Sequence, residues 1–323
     1  MTVHLPSRPW AARGRSLGSS DARWGLAMSL PAAAILLLLV IIPAIWTVLL
    51  AFQQVTLLNI RSAGVLGPYS LANIREVLRS PGFASSILVT LVYSVFGTLL
   101  SIVTGLAAAL ALRHRFRGRF LVRGVMLLPY VAPVVAAAYV WQVMLNPAVG
   151  VVGEIGVHWL GWSRAVPFLS EQSGHLPLTG NSITVPTALI MVILFDTWRY
   201  FPFAFLFFSA RIQALSPELE EAAKVDGAST VQRFRRIIYP QLRNVVLLLV
   251  LLRFIWTFNK FDDVYLLTGG AGGTQVVSIR VYQFLTGYSN VGASSAEALL
   301  LAVLLGVFAI IFTLVQRRNR LMA

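Results

Sequence analysis

Long apolar stretches constrain this chain more than any other feature of its sequence. A helix needs about 20 mostly apolar residues to cross the hydrocarbon core of a bilayer, which is roughly 30 Å thick. Six stretches meet this requirement, and they lie near 26–52, 84–112, 122–146, 183–209, 242–267 and 296–315. Of the 323 residues, 57% are apolar and 12% are charged, whereas about 25% of a soluble domain is charged. We therefore predict an all-α, polytopic membrane protein with six transmembrane helices.

The segment before the first stretch differs in composition from the rest of the chain. Residues 1–25 are rich in Pro, Ser, Gly and Arg, which predicts a disordered leader. The first stretch is longer than the 7–15 apolar residues of a secretory signal, so we expect it to be a retained helix. These boundaries predict a leader at 1–25, a transmembrane domain at 26–316 and a short tail at 317–323.

Lys and Arg are distributed unevenly among the connecting segments. Eighteen of the 26 lie before the first stretch, between the second and third, between the fourth and fifth, or after the sixth, and five lie in the opposite loops. Because cytoplasmic loops retain Lys and Arg, this asymmetry predicts that both termini are cytoplasmic. The bias also explains the net charge of +14 without a nucleic-acid partner.

The cytoplasmic loop at 211–244 carries the signals of a folded helix pair. Ser216 is a good N-cap, and Pro217 suits the first helical position. Gly227 can adopt the left-handed conformation that ends a helix. Ser229 or Thr230 can cap a second short helix, which we expect to run through residue 236 and to end at Pro240. Such a pair either docks into a protein partner or lies on anionic lipid.

The same loop contains a longer motif. Its residues match the pattern E-A-A-x3-G-x9-I-x-L-P, except that Tyr239 replaces the Leu. This motif resembles the coupling loop of bacterial ABC importer permeases. The resemblance implies a coupling role for Glu221, Ala222, Ala223, Asp226, Gly227, Ile237 and Pro240.

The resemblance extends to other parts of the chain and is closest to the carbohydrate subgroup of the maltose and glycerol-phosphate type. The similar segments are 128–130, 141, 146–147, 197–203 and 261–270. What it implies is a non-enzymatic permease subunit in a bacterial inner membrane, forming half of a sugar pathway beside a second homologous permease. It also implies two copies of a cytoplasmic ATPase that bind ATP and Mg, and an extracytoplasmic sugar-binding protein. The chain itself lacks a G-x-x-x-x-G-K-[ST] phosphate loop, so we expect it to bind no cofactor.

Ionisable residues inside the apolar stretches are candidates for function, because they are costly in hydrocarbon. In the fourth stretch, Asp196, Arg199 and Tyr200 have helical spacing that places them on one face. Asp196 and Arg199 either form a structural pair or line a substrate pathway.

The fifth stretch carries a similar set. Arg253, Trp256, Lys260 and Asp263 follow steps of three, four and three, which predicts one continuous helical stripe, with Asn259 and Asp262 on the adjoining face. Lys260 and Asp263 are again either a structural pair or pathway residues. The candidate substrate pathway therefore comprises Asp196, Arg199, Tyr200, Trp256, Asn259, Lys260 and Asp263.

Two other functional classes can be compared with this interpretation. An ion-driven secondary transporter would need a carboxylate that is free to titrate and, usually, inverted repeats. A membrane enzyme or a metal site would need nucleophile–base or ligand spacings, and we expect neither from the chain's four His and its lack of Cys. The identity of the transported sugar or glycerol phosphate stays open.

Overall fold

The computed structural model describes residues 19–65, 67–114, 116–172, 174–178 and 181–321, which are mainly helical, as predicted. The α-helices are α1 (Ser19–Leu36), α2 (Ile42–Ala51), α3 (Ala72–Arg79), α4 (Phe83–Ala111), α5 (Arg119–Val131), α6 (Val134–Met144), α7 (Val151–Trp159), α8 (Thr187–Gln213), α9 (Pro217–Val225), α10 (Thr230–Arg233), α11 (Tyr239–Phe258), α12 (Asp262–Thr268), α13 (Val277–Thr286) and α14 (Val291–Leu321). Leu37–Ile41 and Phe234–Ile238 are π-helical, and Ile60–Ser62 is a 3-10 turn.

Five helical segments of the described chain are long and apolar enough to cross a membrane. They are Ala27–Ala51, Phe83–Ala111, Thr187–Gln213, Thr230–Phe258 and Val291–Arg317. The pair α5 and α6 also qualifies when taken together, but its helices meet at 95°. The number of spans is therefore five, or six if this pair crosses the membrane as one unit, and the predicted six corresponds to the second case.

The predicted continuous helix at 122–146 is broken in the structure. Ala132 leaves the helical region at φ −59° and ψ 138°, and Pro133 precedes the first residue of α6. A proline disfavours the helical conformation in the residue before it and has no N–H to donate. These two effects account for the bend, and the proline was visible in the sequence.

The predicted fifth span also has different ends. Its helix begins at Thr230, passes through the π-helical turn Phe234–Ile238 and continues to Phe258. The prediction that Pro240 ends a short helix was therefore wrong. In the π-helical turn Tyr239 N–H donates to Phe234 O, five residues back, so the wider turn accommodates the following proline without ending the helix.

Two compact units make up the chain, and the first ends at Leu49. Its described part contains α1, the first π-helical turn and most of α2, with largely exposed apolar side chains from residue 27 onward. Residues 1–18 of the predicted leader lie outside the described residues, and α1 already begins at Ser19.

Small residues let α4 and α8 pack closely in the second unit. The buried small residues of α4 are Ser86, Thr90, Ser94, Gly97, Thr98, Ser101, Gly105 and Ala109. A Cβ on Gly105 would lie 2.6 Å from Ala204 Cβ and 2.7 Å from Phe201 O, so only glycine fits at this crossing. Helix α11 packs against both α4 and α8. These three helices form the frame on which the polar residues are placed, as small-residue interfaces do in other membrane bundles.

A short hairpin precedes α8. Strands β1 (Gly174–Leu178) and β2 (Asn181–Val185) pair antiparallel, with Gly174 opposite Val185. The predicted fourth span at 183–209 therefore starts later, at Thr187, and runs further, to Gln213. Helix α7 lies in the loop before the hairpin, and α13 lies in the loop before α14.

Candidate functional site

A hinged helix pair joins α8 to α11, and we call residues 217–233 the α9–α10 segment. Pro217 is the first residue of α9, as predicted, although the Ser216 side chain makes no capping hydrogen bond. Gly227 adopts a φ of +74°, which disfavours any residue with a side chain. Ser229 forms a reciprocal capping box with Gln232 at the start of α10. The predicted helix, glycine turn and capped second helix are therefore present.

The α9–α10 segment leaves most of its motif residues accessible. Glu221, Ala222, Asp226 and Gly227 are exposed, and Ala223 is half-buried. Sequence reasoning missed three exposed apolar residues beside them, namely Leu219, Val225 and Val231, which are 53%, 87% and 64% exposed. These apolar residues occur in a polar helix at positions that do not face a core, and this pattern in the sequence could have identified them. The segment therefore exposes apolar and acidic side chains together.

The other two motif residues lie in the following helix. Ile237 is half-buried in the π-helical turn, and Pro240 is exposed in the first turn of α11. They belong to the stem that connects the α9–α10 segment to the transmembrane helices.

One side chain from the loop after α4 contacts this segment. Arg113 NH2 lies 2.9 Å from Glu220 Oε1 in α9. The loop between α4 and α5 and the loop between α8 and α11 therefore meet at the same end of the helices. This proximity agrees with the charge pattern that assigned both loops to one face.

A buried ion pair joins α8 to α11 deep in the helix bundle. Arg253 NH2 lies 2.6 Å from Asp196 Oδ2, and these residues are 1% and 0% exposed. Tyr93 of α4 donates to the other Asp196 oxygen at 3.3 Å, and Arg253 Nε donates to Ser101 at 3.3 Å. Of the two alternatives for Asp196 and Arg199, the structure does not show the mutual pair, because the cation at Asp196 is Arg253, from a helix that is distant in sequence.

Tyr200 lies at the centre of a cationic group. The Arg253 guanidinium carbon lies 4.3 Å from the centre of its ring, which is a cation–π distance. Its hydroxyl accepts a hydrogen bond from Arg199 Nε at 3.2 Å and another from Lys260 Nζ. Three cations thus converge on one buried tyrosine, and the carboxylates of Asp196 and Asp263 lie nearby.

The predicted stripe through residues 253–263 does not form one helical face. Helix α11 ends at Phe258, and α12 starts again at Asp262. Lys260 lies in the break, 3.4 Å from an Asp262 oxygen and 3.6 Å from Asp263 Oδ2. Arg199 Nε is 3.9 Å from Asp263 Oδ1. Asp263 therefore lies close to one cation from α8 and to another from the break between α11 and α12. Neither of its oxygens has a hydrogen bond among the described residues.

The candidate pathway residues differ in accessibility. Asp196, Tyr200 and Asp263 are buried, whereas Trp256 and Asn259 are exposed and Lys260 is half-buried. Trp256 and Asn259 are therefore accessible from outside the chain, whereas Asp196, Tyr200 and Asp263 lie between helices. Trp256 is 44% exposed, and its ring is 5.1 Å from that of Phe203.

Metal-binding groups are not apparent in the described residues. No group of three or more His, Asp or Glu side chains there could hold a metal ion. His158 of α7 lies 3.1 Å from Glu154. This exposed pair spans one helical turn and has the character of a surface ion pair.

A polar cavity lies at the opposite end of α4 from Arg113. Its volume is about 570 Å³, and its lining includes Ser80, Arg280, Tyr288 and Asn290. The floor is rigid, because Arg280 Nε lies 2.7 Å from buried Glu297 and its NH1 donates to Pro81 O at 2.8 Å. Tyr288 at the rim is 73% exposed.

Comparison with known proteins gives consistent matches. Residues 97–321 match a family described as "Binding-protein-dependent transport system inner membrane component". The chain is 32% identical over 303 residues to the inner membrane ABC transporter permease protein YcjO of Escherichia coli K12, covering 94% of this chain and 96% of that protein. It is 30% identical over 312 residues to the trehalose/maltose transport system permease protein MalF of Thermococcus litoralis, covering 93% and 96%.

A solved structure has the same fold. It is a bacterial alginate ABC transporter in complex with an alginate pentasaccharide-bound periplasmic protein. The TM-score is 0.76 at 23% identity, and the match covers 94% of this chain and 98% of that chain.

Proposed function

We propose that this chain, which belongs to the family of inner membrane components of binding-protein-dependent transport systems, is the permease subunit of an ATP-driven sugar importer. It is a transport subunit and not an enzyme. The observation that carries the proposal is the α9–α10 segment, a capped helix pair around Gly227 that exposes Leu219, Val225 and Val231 together with acidic residues. A rigid docking element of this kind is useful to a transporter driven by a partner protein.

The partner at this segment is a cytoplasmic ATPase. Two copies of that ATPase would bind ATP and Mg, and this chain would bind neither. The exposed Glu221, Ala222 and Asp226 would enter the ATPase surface, with Ala223 and Gly227 allowing close approach. Ile237 and Pro240 would carry the movement into α11. A second homologous permease would complete the pathway beside this chain.

Both termini would be cytoplasmic. Support comes from the excess of Lys and Arg in the loops that the Arg113–Glu220 contact brings together. With that orientation, the cavity beside Tyr288 faces the extracytoplasmic side, where a sugar-binding protein would dock. A rigid floor and an exposed aromatic at the rim suit such an interface.

The substrate would be a sugar. Trehalose and maltose appear in the name of one relative, and the accessible Trp256, Asn259 and Lys260 offer an aromatic face and hydrogen-bonding groups that suit sugar hydroxyls. An ion-driven mechanism is disfavoured, because both buried carboxylates have cations beside them. Asp196 lies 2.6 Å from Arg253, and Asp263 lies 3.6 Å from Lys260 Nζ and 3.9 Å from Arg199 Nε.

The test is ATP hydrolysis in proteoliposomes that contain this chain, its partner permease and the ATPases, with and without a sugar-loaded binding protein. We expect one sugar to stimulate hydrolysis, and Gly227→Pro to abolish uptake without preventing membrane insertion. A wild-type chain that recruited no ATPase would contradict the proposal, and so would normal uptake by the Gly227→Pro variant.

A further inference from the structure

We infer that Arg113, Glu220 and Arg233 form a second mechanical connection between the α9–α10 segment and the transmembrane helices. We call these three residues the inner triad. The covalent chain already joins the segment to α8 and α11. The inner triad adds α4 and α5, so that movement of the segment is shared by four helices. This inference rests on the proposed function, because it assigns a role in coupling.

Arg113 and Glu220 approach each other through two pairs of atoms. Arg113 NH1 donates to Glu220 Oε2 at 3.4 Å, and Arg113 NH2 lies 2.9 Å from Glu220 Oε1. The two side chains are only 14% and 24% exposed, so salt screens this pair less than a surface pair. Of the two contacts only the one to Oε2 is a hydrogen bond, and the closer approach to Oε1 is an ion-pair contact.

Arg233 extends the connection across the glycine turn. Its NH1 donates to Ala228 O at 3.1 Å, and its NH2 donates to Thr230 Oγ1 at 3.3 Å. Its Nε lies 3.8 Å from Glu220 Oε1. Arg233 thus joins the turn to the start of α10 by hydrogen bonds. It also lies within ion-pair distance of the α9 carboxylate, although Arg233 Nε and Glu220 Oε1 have no hydrogen bond among the described residues.

The loop that carries Arg113 is tied to α5. Arg119 Nε and Arg123 NH2 donate to Leu112 O at 2.9 and 3.3 Å. Leu112 is 7% exposed and packs in the same cluster as Phe208 of α8. A displacement that reaches Arg113 therefore passes to both α4 and α5 and is not absorbed by a loose loop.

The position of Glu220 separates this role from ATPase binding. Glu221 and Ala222 are exposed, whereas Glu220 is half-buried against Arg113. Neighbouring residues on α9 thus have different tasks, with one group directed to the partner and Glu220 directed to the chain itself. Loss of the inner triad should leave the ATPase bound while reducing the transport obtained from each ATP.

The experiment uses the complete transporter with Arg113→Glu, Glu220→Arg and the double charge exchange. The measurements are ATPase copurification, ATP hydrolysis and sugar uptake per ATP hydrolysed. Each single variant should keep the ATPase and lower uptake per ATP about fivefold or more. The double exchange should restore part of the loss, because the arginine introduced at position 220 regains a carboxylate partner but also faces Arg233. Glu220→Gln, which removes the charge without adding a cation, should show a smaller loss in the same direction.

Arg117→Glu is the matched control, because Arg117 is an exposed residue of the same loop with no ion pair in the described part of the chain. It should leave uptake per ATP unchanged. Wild-type values of uptake per ATP in the single variants and in Glu220→Gln would overturn the role proposed for the inner triad. The inner triad would also be overturned if the double exchange recovered none of the lost uptake per ATP. A lower melting temperature with an unchanged uptake per ATP would overturn it as well. Failure of the wild-type chain to recruit any ATPase would instead overturn the proposed function.

Discussion

Replacing Arg253 with Met should destabilise the helix bundle, because it leaves the Asp196 carboxylate buried without its cation. The two groups lie 2.6 Å apart, and after the change a hydrogen bond from Tyr93 remains at 3.3 Å. An Asp at the centre of a membrane helix costs about 2.5–3.5 kcal/mol, and a lost interhelical hydrogen bond costs about 0.6 kcal/mol. We therefore expect the free energy of unfolding to fall by about 3–4 kcal/mol, which agrees with the effect of breaking buried ion pairs elsewhere.

The double variant Asp196→Asn with Arg253→Met should be more stable than this single variant. Asparagine is neutral and can still accept the hydrogen bond from Tyr93, so its burial costs much less than that of a lone carboxylate. We expect the double variant to lie within about 1 kcal/mol of the wild type. The second substitution would then recover most of the loss caused by the first.

Equilibrium unfolding in mixed micelles with increasing SDS, followed by circular dichroism, measures these differences. Arg243→Met is the control, because Arg243 is exposed on the same helix, and it should change stability by less than about 0.5 kcal/mol. A double variant as unstable as Arg253→Met alone would refute the reasoning. The loss would then come from the missing packing of the Arg253 side chain and not from a stranded charge.

Gly105→Val should destabilise the bundle by at least about 1–3 kcal/mol in the same assay, because its Cβ would meet Ala204 Cβ at 2.6 Å and Phe205 N at 2.8 Å. Gly306→Val is its control, since nothing lies within 4 Å of a Cβ there, and equal stability of the two variants would contradict the proposed close crossing. Tyr288→Ala should preserve stability, because the side chain is 73% exposed. It should also raise the binding-protein concentration needed for half-maximal ATPase stimulation about tenfold or more, the effect of a hot-spot residue. An unchanged titration would assign Tyr288 to the lipid interface instead.

The features that the sequence predicted well are those set by neighbouring residues. Pro217 starts α9, Gly227 takes a positive φ and Ser229 caps α10, and each of these outcomes depends on a few adjacent backbone groups. The long apolar stretches predicted helices correctly, because hydrocarbon leaves the backbone no alternative to a helix, although the third is broken and the ends of the fourth and fifth differ. Even the bend at Ala132 was foreseeable in principle, since Pro133 restricts that residue.

The features that could not be predicted depend on which helices meet. Helical spacing brought Arg199 within reach of Asp196, but it carries no information about Arg253, which lies 57 positions further along the chain. The contact of Arg113 with Glu220 spans 107 positions and was equally invisible. The break after Phe258 displaced Lys260 and Asp263 from the face assigned to them. Residues at helical spacing share one face only while the helix continues.

The packing of α4 explains how a movement at one end of the chain can reach the other. The helix has 29 residues and is therefore about 43 Å long, with Ser80 and the polar cavity near its first residue and Arg113 just after its last. The tight crossing at Gly105 attaches α4 to α8. The hydrogen bonds of Tyr93 with Asp196 and of Ser101 with Arg253 attach α4 to the ion pair between α8 and α11. A displacement at the inner triad should then move α4 as a unit and change the shape of the distant cavity. For this reason we expect Arg113→Glu to reduce uptake more than hydrolysis, because the ATPase engages the exposed face of α9 and does not require α4 to follow.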